Sequence, residues 1–200
     1  VAIKFQYNKT SQQALAKQLQ IRERALPTLK NKEAALRLEV KNAKDRAHQL
    51  QQELDKKLKA YDDIMSLWSE FDPTLLRIKE VRLTSKKIAG VLTPVLEEVL
   101  FEVSDYNMFE APAWFPDGIS ILKQLATLAI EKEIFEQKMS LLDFARKKTT
   151  QKVNLYEKVQ IPGFQDAIRK IKRFLEDEEN LSKAAQKIVK NRQQKAEAEL

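Results

Sequence analysis

The sequence of 200 residues has no cysteine, a single histidine, His48, and only three glycines. Without cysteine there is no disulfide framework, no thiol nucleophile and no thiolate zinc site. The chain is compatible with a reducing compartment, so a cytoplasmic location is expected. One imidazole supports no metal set, and His48 reads as a solvated helix residue. Gly90, Gly118 and Gly163 stand so far apart that neither a G-x-x-x-x-G-K phosphate loop nor a G-x-G-x-x-G dinucleotide turn can be written. Long apolar runs are missing too. Residues 1–5 hold no signal-peptide core, and the best apolar stretch, 119–130, is broken by Lys123 and Gln124, so no membrane-spanning segment is predicted. No acid/base pair, nucleophile or metal constellation assembles from what remains, and the expectation is a protein without a cofactor that is not an enzyme.

What is present is charge, unevenly spread. The net charge is +7 with a pI near 9.4, but residues 1–60 carry +8, residues 61–120 carry −6 and residues 121–200 carry +5. Basic ends and an acidic middle are expected where the ends lie together against one partner surface and the middle faces another; ordinary solvated helix faces give the same count. A basic chain of this kind could serve as a coiled-coil tether or a nucleic-acid-binding protein. Its cations, however, are interleaved with acids along the chain rather than gathered beside aromatic readers, which argues against nucleic acid.

From about Asn8 to Phe71 the chain is rich in Ala, Leu, Gln, Glu, Lys and Arg, residues that lose little entropy in a helix, with Thr10 and Ser11 as the expected cap. Leu26, Leu29, Glu33, Leu36, Val40, Ala43, Ala47, Leu50 and Leu54 alternate spacings of three and four, the seam of a coiled coil with one polar member, Glu33. The pattern is then read through Leu58, Tyr61, Met65 and Trp68, the two steps of four at Leu50, Leu54 and Leu58 making a stutter. The last third mirrors the first. Ile121, Leu122, Leu125, Leu128, Ile134, Leu141, Leu142 and Ala145 open a second helix, and Phe164, Ala167, Ile171, Phe174, Glu178, Leu181, Ala185 and Ile188 continue it, with fraying expected from Lys190. Helices of roughly sixty and seventy-five residues would be about 90 and 110 Å long. Pro27 and Pro162 should kink or break them, the second more sharply because Gly163 follows.

Asp72-Pro73 ends the first helix, since a residue before proline is pushed out of the α region. Val81–Leu83, Ile88–Thr93 and Val99–Val103 predict two or three short strands including a hairpin, although 96–101 could also extend a helix. Residues 105–118, with Tyr106, Phe109, Trp114 and Phe115, read as an irregular loop held down by aromatic rings, and Trp68 and Trp114 as packing between middle and coiled coil. The fold class is therefore mainly α: two long helices forming an antiparallel coiled coil, with a small middle region containing a short β-hairpin. The stretches are 1–71, 72–118 and 119–200, in one elongated domain. A parallel homodimer would bury the same seam, and periodicity alone leaves it open.

Three segments carry a resemblance. Asn8-Lys9-Thr10-Ser11 is followed by Leu29-Lys30-Asn31-Lys32 leading to Ala35-Leu36. Gly90-Val91-Leu92-Thr93-Pro94 precedes an acidic, β-branched strand, and the run from Lys152-Val153-Asn154 through Glu157 to Ile161-Pro162 comes late. With the order of basic helix, β-containing middle and basic helix, this resembles the D-subunit family of V-type and A-type ATPases and ATP synthases, most closely its bacterial members, over nearly the whole chain. The resemblance implies a non-catalytic central rotor shaft. It would couple ATP hydrolysis or synthesis in a ring of catalytic A and B subunits to rotation of an ion-translocating membrane ring. It further implies contacts with the small F subunit of the rotor and with the component linking the shaft to the membrane ring, one copy per complex, a chain monomeric when alone, and a membrane met only through the complex. Carried over to this sequence, the partner-contact positions are Asn8, Thr10, Lys30, Lys32, Lys152, Asn154, Glu157, Lys187, Lys190 and Arg192.

Overall fold

The computed structural model describes residues 3–61, 68, 70–105 and 111–198, with side chains as far as residue 194. Met65, Tyr106 and Phe109, read above as seam and loop residues, lie outside the described residues.

Helix α1 spans Lys9–Ala60. Its cap is Asn8 rather than Thr10 or Ser11: the Asn8 carboxamide oxygen accepts the Ser11 amide at 2.7 Å, and Ser11 Oγ in turn accepts the Gln6 amide at 3.3 Å. A side-chain oxygen one residue ahead of the helix reaches the third helical amide, which a residue already inside the first turn cannot do. The helix continues across Pro27. It ends at Ala60, short of the expected Phe71, with the Tyr61 amide donating to the Leu58 carbonyl at 3.0 Å.

Flanked by half-buried Ala25, Glu39, Arg46 and Gln51, the seam of α1 runs through the buried or half-buried positions Leu15, Leu19, Arg22, Leu26, Leu29, Glu33, Leu36, Val40, Ala43, Ala47, Leu50, Leu54, Lys57 and, just past the helix end, Tyr61. These are alternating steps of four and three throughout, so the heptad seam has no stutter. Leu58 is 46% exposed and Lys57 takes the seam position. The stutter came from following the larger apolar residue. Geometry instead half-buries the lysine at the position the period dictates.

After a 3₁₀ turn at Pro73–Leu75, capped by Asp72, two strands form: β1 (Leu76–Ile88) and β2 (Val91–Val103). They pair antiparallel, from Leu76 opposite Val103 to Ile88 opposite Val91, with extra residues at Lys79 in β1 and Glu97 in β2. The strands are thus longer than predicted, 96–101 is strand, and Ile88–Thr93 straddles the turn. Ala89 and Gly90 both have positive φ, 47° and 84°. This is the two-residue turn whose twist matches that of the flanking strands. Thr84, Ser85, Lys86 and Lys87 are exposed, so this stretch of β1 carries no apolar signal.

Helix α2 spans Phe115–Asn154, a π turn follows at Leu155–Gln160, and α3 spans Ile161–Ala198. The predicted loop therefore stops at Phe115, with Pro116 in the first helical turn, where a missing amide costs nothing. The tail beyond Lys190, expected to fray, is helical to Ala198. Pro162 does not break the chain of helical residues. The departure from α geometry falls in the six residues before it, where the Ile161 amide donates to the Tyr156 carbonyl, five residues back. Two causes coincide there. Pro162 has no amide to give to the preceding turn, and the buried or half-buried positions Val153, Tyr156, Gln160, Phe164 and Ala167 contain two successive steps of four. That is one residue more than a heptad, and a π turn absorbs one residue.

The chain forms two compact units, one of Val1–Asn31 with Thr149–Leu200 and the other of Lys32–Lys148. In the first, Leu15 of α1 packs with Phe164, Ala167 and Ile171 of α3. The segment before α1 lays Ile3 and Phe5 on the same cluster, and Tyr7 meets Phe174 at 4.9 Å between ring centroids. Gly163 leaves room for this strap, since a Cβ there would lie 3.0 Å from Ile3 Cδ1. Beyond Ile171 the expected seam is corrected. Leu175 is half-buried in place of Phe174, and residues 176–194, including Glu178, Leu181, Ala185 and Ile188, are exposed.

In the second unit α1 pairs antiparallel with α2. Arg46 reaches Glu131 at 3.2 Å and Lys57 reaches Gln124 at 3.1 Å, with Leu36, Leu50 and Leu142 fully buried. The seam is closed within one chain, which decides for the intramolecular hairpin. Phe71, Leu75, Phe115 and Ile119 form a cluster at the foot of the strands, with Trp68 and Trp114 edge to face at 5.3 Å. Gly118 is the flat seat for those rings: a Cβ there would approach Trp114 to 2.7 Å.

Candidate functional site

The surface with most chemistry in the first unit lies where α1 meets the π turn. Arg22 occupies a seam position. Its Nε donates to Gln160 Oε1 at 2.6 Å, its Nη1 donates to Gln18 Oε1 at 2.6 Å, and the guanidinium lies 4.6 Å from the Phe164 ring centroid and 5.8 Å from that of Tyr156. A planar cation with forked donors suits this place, because it stacks and hydrogen-bonds at once. Two turns along α1, Lys30 Nζ donates to Glu157 Oε1 at 2.6 Å. Two cations of α1 therefore hold the π turn, one at its last residue and one near its middle. Arg22 was not singled out from the sequence, although its place three after Leu19 and four before Leu26 was the available signal.

Of the positions implied by the resemblance, Asn8 caps α1, and Lys30 and Glu157 bind each other. Thr10 is exposed in the first turn of α1. Lys152 is exposed with its Nζ 5.9 Å from the Tyr156 ring, and Asn154 is exposed at the end of α2 with no capping bond from its side chain. Lys187, Lys190 and Arg192 lie on the exposed part of α3 and make no ion pair among the described residues. In the other unit, Lys32 is exposed and its Nζ lies 3.4 Å from where a Cβ on Gly90 would stand, at the tip of the strands.

The electrostatics are those of a solvated helical surface. Hydrogen bonds from Lys147 and then Arg146 hold the Asp143 carboxyl below its ordinary value. The Thr74 amide does the same for Asp72, and Lys183 for Glu179. Glu33 in the seam accepts from Arg37 at 2.8 Å, and exposed His48 shares a hydrogen bond with Gln52. Among the described residues no three His, Asp or Glu side chains are placed to hold a metal ion, and no helix is long and apolar enough to cross a membrane.

A chain built of antiparallel paired helices with a β-hairpin between them, its charged side chains largely solvated, belongs to the class of helical coiled-coil proteins. Comparison with known proteins narrows that class. The family model of the ATP synthase D subunit matches residues 11–191. The D subunit of the V-type ATP synthase from Borreliella burgdorferi is 31% identical over 177 residues, covering 87% of each chain. Those of Chlamydia pneumoniae and Chlamydia felis are 32% and 28% identical over 162 and 184 residues, covering 76% and 88% of this chain and 75% and 88% of the relatives. The chain belongs to the ATP synthase D-subunit family, the non-catalytic central stalk of the rotary ATPase.

Proposed function

We propose that this chain is the coiled-coil shaft of a V-type ATP synthase, one copy per complex. The terminal stretches 1–71 and 119–200 would enter a ring of catalytic A and B subunits, and the middle, 72–118, would turn toward the small F subunit of the rotor and the component that links the shaft to the membrane ring. The chemistry then resides in the ring. The shaft couples the nucleotide sites by presenting a different side to each as it turns. Coupling asks for helices that pair rather than act alone, and the observation that carries the reading is that helices pair within each unit, with Leu36, Leu50 and Leu142 fully buried in one and Ile171 in the other, in a family-matched sequence.

Rotation also demands contacts that are polar and individually weak. The ten positions named above are the proposed partner contacts. Of these, Lys32, Lys152, Lys187, Lys190 and Arg192 are the ones whose cations make no ion pair among the described residues. Attraction of such charges to acidic walls survives a change of orientation better than shape-dependent packing, within a screening length of about 8 Å at physiological salt. The complex places the chain on the cytoplasmic side, at the membrane only through its partners.

Native mass spectrometry of the chain alone, and mixed with A and B subunits and nucleotide, tests this. A monomer that joins a six-membered ring once is the expected outcome. A stable homodimer that ignores the ring would overturn the reading.

A further inference from the structure

The hairpin is a two-stranded sheet, so each strand has one edge without a strand beside it among the described residues. The two edges differ. β2 is partly buried along most of its length, whereas β1 is exposed everywhere except Leu76, Val81 and Ile88. They differ in charge as well. β1 carries Arg77, Lys79, Arg82, Lys86 and Lys87 against one acid, Glu80, while β2 carries Glu97, Glu98 and Glu102. Arg82 is held by Glu80 and Glu98 at 3.5 and 3.3 Å; the other four cations make no ion pair among the described residues.

The turn fixes which amides of β1 point outward. Ile88 and Val91 close a two-residue turn and form a hydrogen-bonded pair, and pairs alternate from there. Lys87, Ser85 and Leu83 therefore stand at the non-bonded positions, with amides and carbonyls directed away from β2. Pro94, which has no amide, sits opposite Ser85, where none is needed.

We propose that the outer edge of β1 takes a third strand from another protein of the complex, an extended segment with acidic side chains; this rests on the central-stalk reading above. Main-chain hydrogen bonds to Leu83, Ser85 and Lys87 supply the pairing, and Lys86 and Lys87 with Lys79 and Arg77 select acidic neighbours across the new ladder. A second copy of the chain is the wrong occupant. It would set cations against cations, and the extra residue at Lys79 together with the lysines is how edge strands resist pairing with themselves.

The test is hydrogen exchange of β1 in the free chain and in the complex reconstituted with the ring and rotor proteins, with two variants alongside. Assembly should slow exchange at residues 83, 85 and 87 about tenfold or more, as expected for amides that gain a bond. Ser85→Pro removes one outward donor and leaves the ladder to β2 intact. Lys86→Glu combined with Lys87→Glu reverses the charge with no change to the backbone. Each should weaken incorporation about tenfold while the free variant unfolds as the parent does. If the parent joins the complex, exchange in β1 is unchanged and both variants join equally well, the strand-addition proposal is overturned and the central-stalk reading stands. Failure of the parent to join any of these proteins overturns both. Concentration-dependent slowing in the free chain would make a second copy the occupant, and that also overturns it.

Discussion

At the residue scale, positions with no room or no solvent dominate. Leu50 is fully buried in the seam, so Leu50→Asp places an uncompensated charge there and should cost several kcal/mol, about 3 or more, or abolish folding. Urea unfolding followed by circular dichroism measures it, and an unchanged midpoint would mean the seam is wrongly drawn. Gly118→Ala drives a methyl into the Trp114 ring and should destabilise by about 1–3 kcal/mol, with a changed tryptophan emission. Asp143 has its carboxyl held low by Lys147 and Arg146. A lowered value in the folded state gives stability that is present above the unfolded carboxyl value and is lost as pH falls through the folded one. Asp143→Asn should therefore cost less than about 1 kcal/mol at pH 7, the pair being partly solvated, and nothing once the pH lies below both values.

At the element scale, the turn and the π segment each hold a local conflict. Ala89 sits at φ 47°, where a side chain without a local hydrogen bond is strained. Ala89→Asn gives the Asn-Gly pair that this turn prefers and should raise stability by about 0.5–1 kcal/mol in thermal unfolding, without altering the strand register. Arg22 meets the π turn with both a fork and a flat cation. Arg22→Lys keeps the charge and loses the stacking, and amide exchange across 155–160 should quicken more than in the rest of α3. Equal protection in both proteins would show that Pro162 alone fixes the turn.

For the whole molecule, folding and assembly draw on different residues. Residues 176–194 are exposed, so removing the chain from 176 onward should leave the unfolding midpoint nearly unchanged, within about 0.5 kcal/mol. The proposed shaft loses Lys187, Lys190 and Arg192 in that truncation. Ring capture in native mass spectrometry should fall and its salt dependence should flatten, because fewer cations are then screened. If capture is unaffected, the partner contacts lie elsewhere.

The sequence by itself determined the helices, the heptad from Leu26 to Leu54, a hairpin in the middle, and the family, because each is written in local spacing or in words a few residues long. It also held the signal for Arg22 and Lys57, had position been ranked above hydrophobicity. Only the tertiary structure decided that the seam closes within one chain, since periodicity is the same for either pairing. Tertiary packing also lays the strap of Ile3, Phe5 and Tyr7 over α3, through contacts more than 150 residues distant in sequence. It is again packing that leaves Leu181 and Ile188 exposed in a helix patterned like its buried part. A helix face is apolar by its own sequence, but it is buried only where another element lies against it.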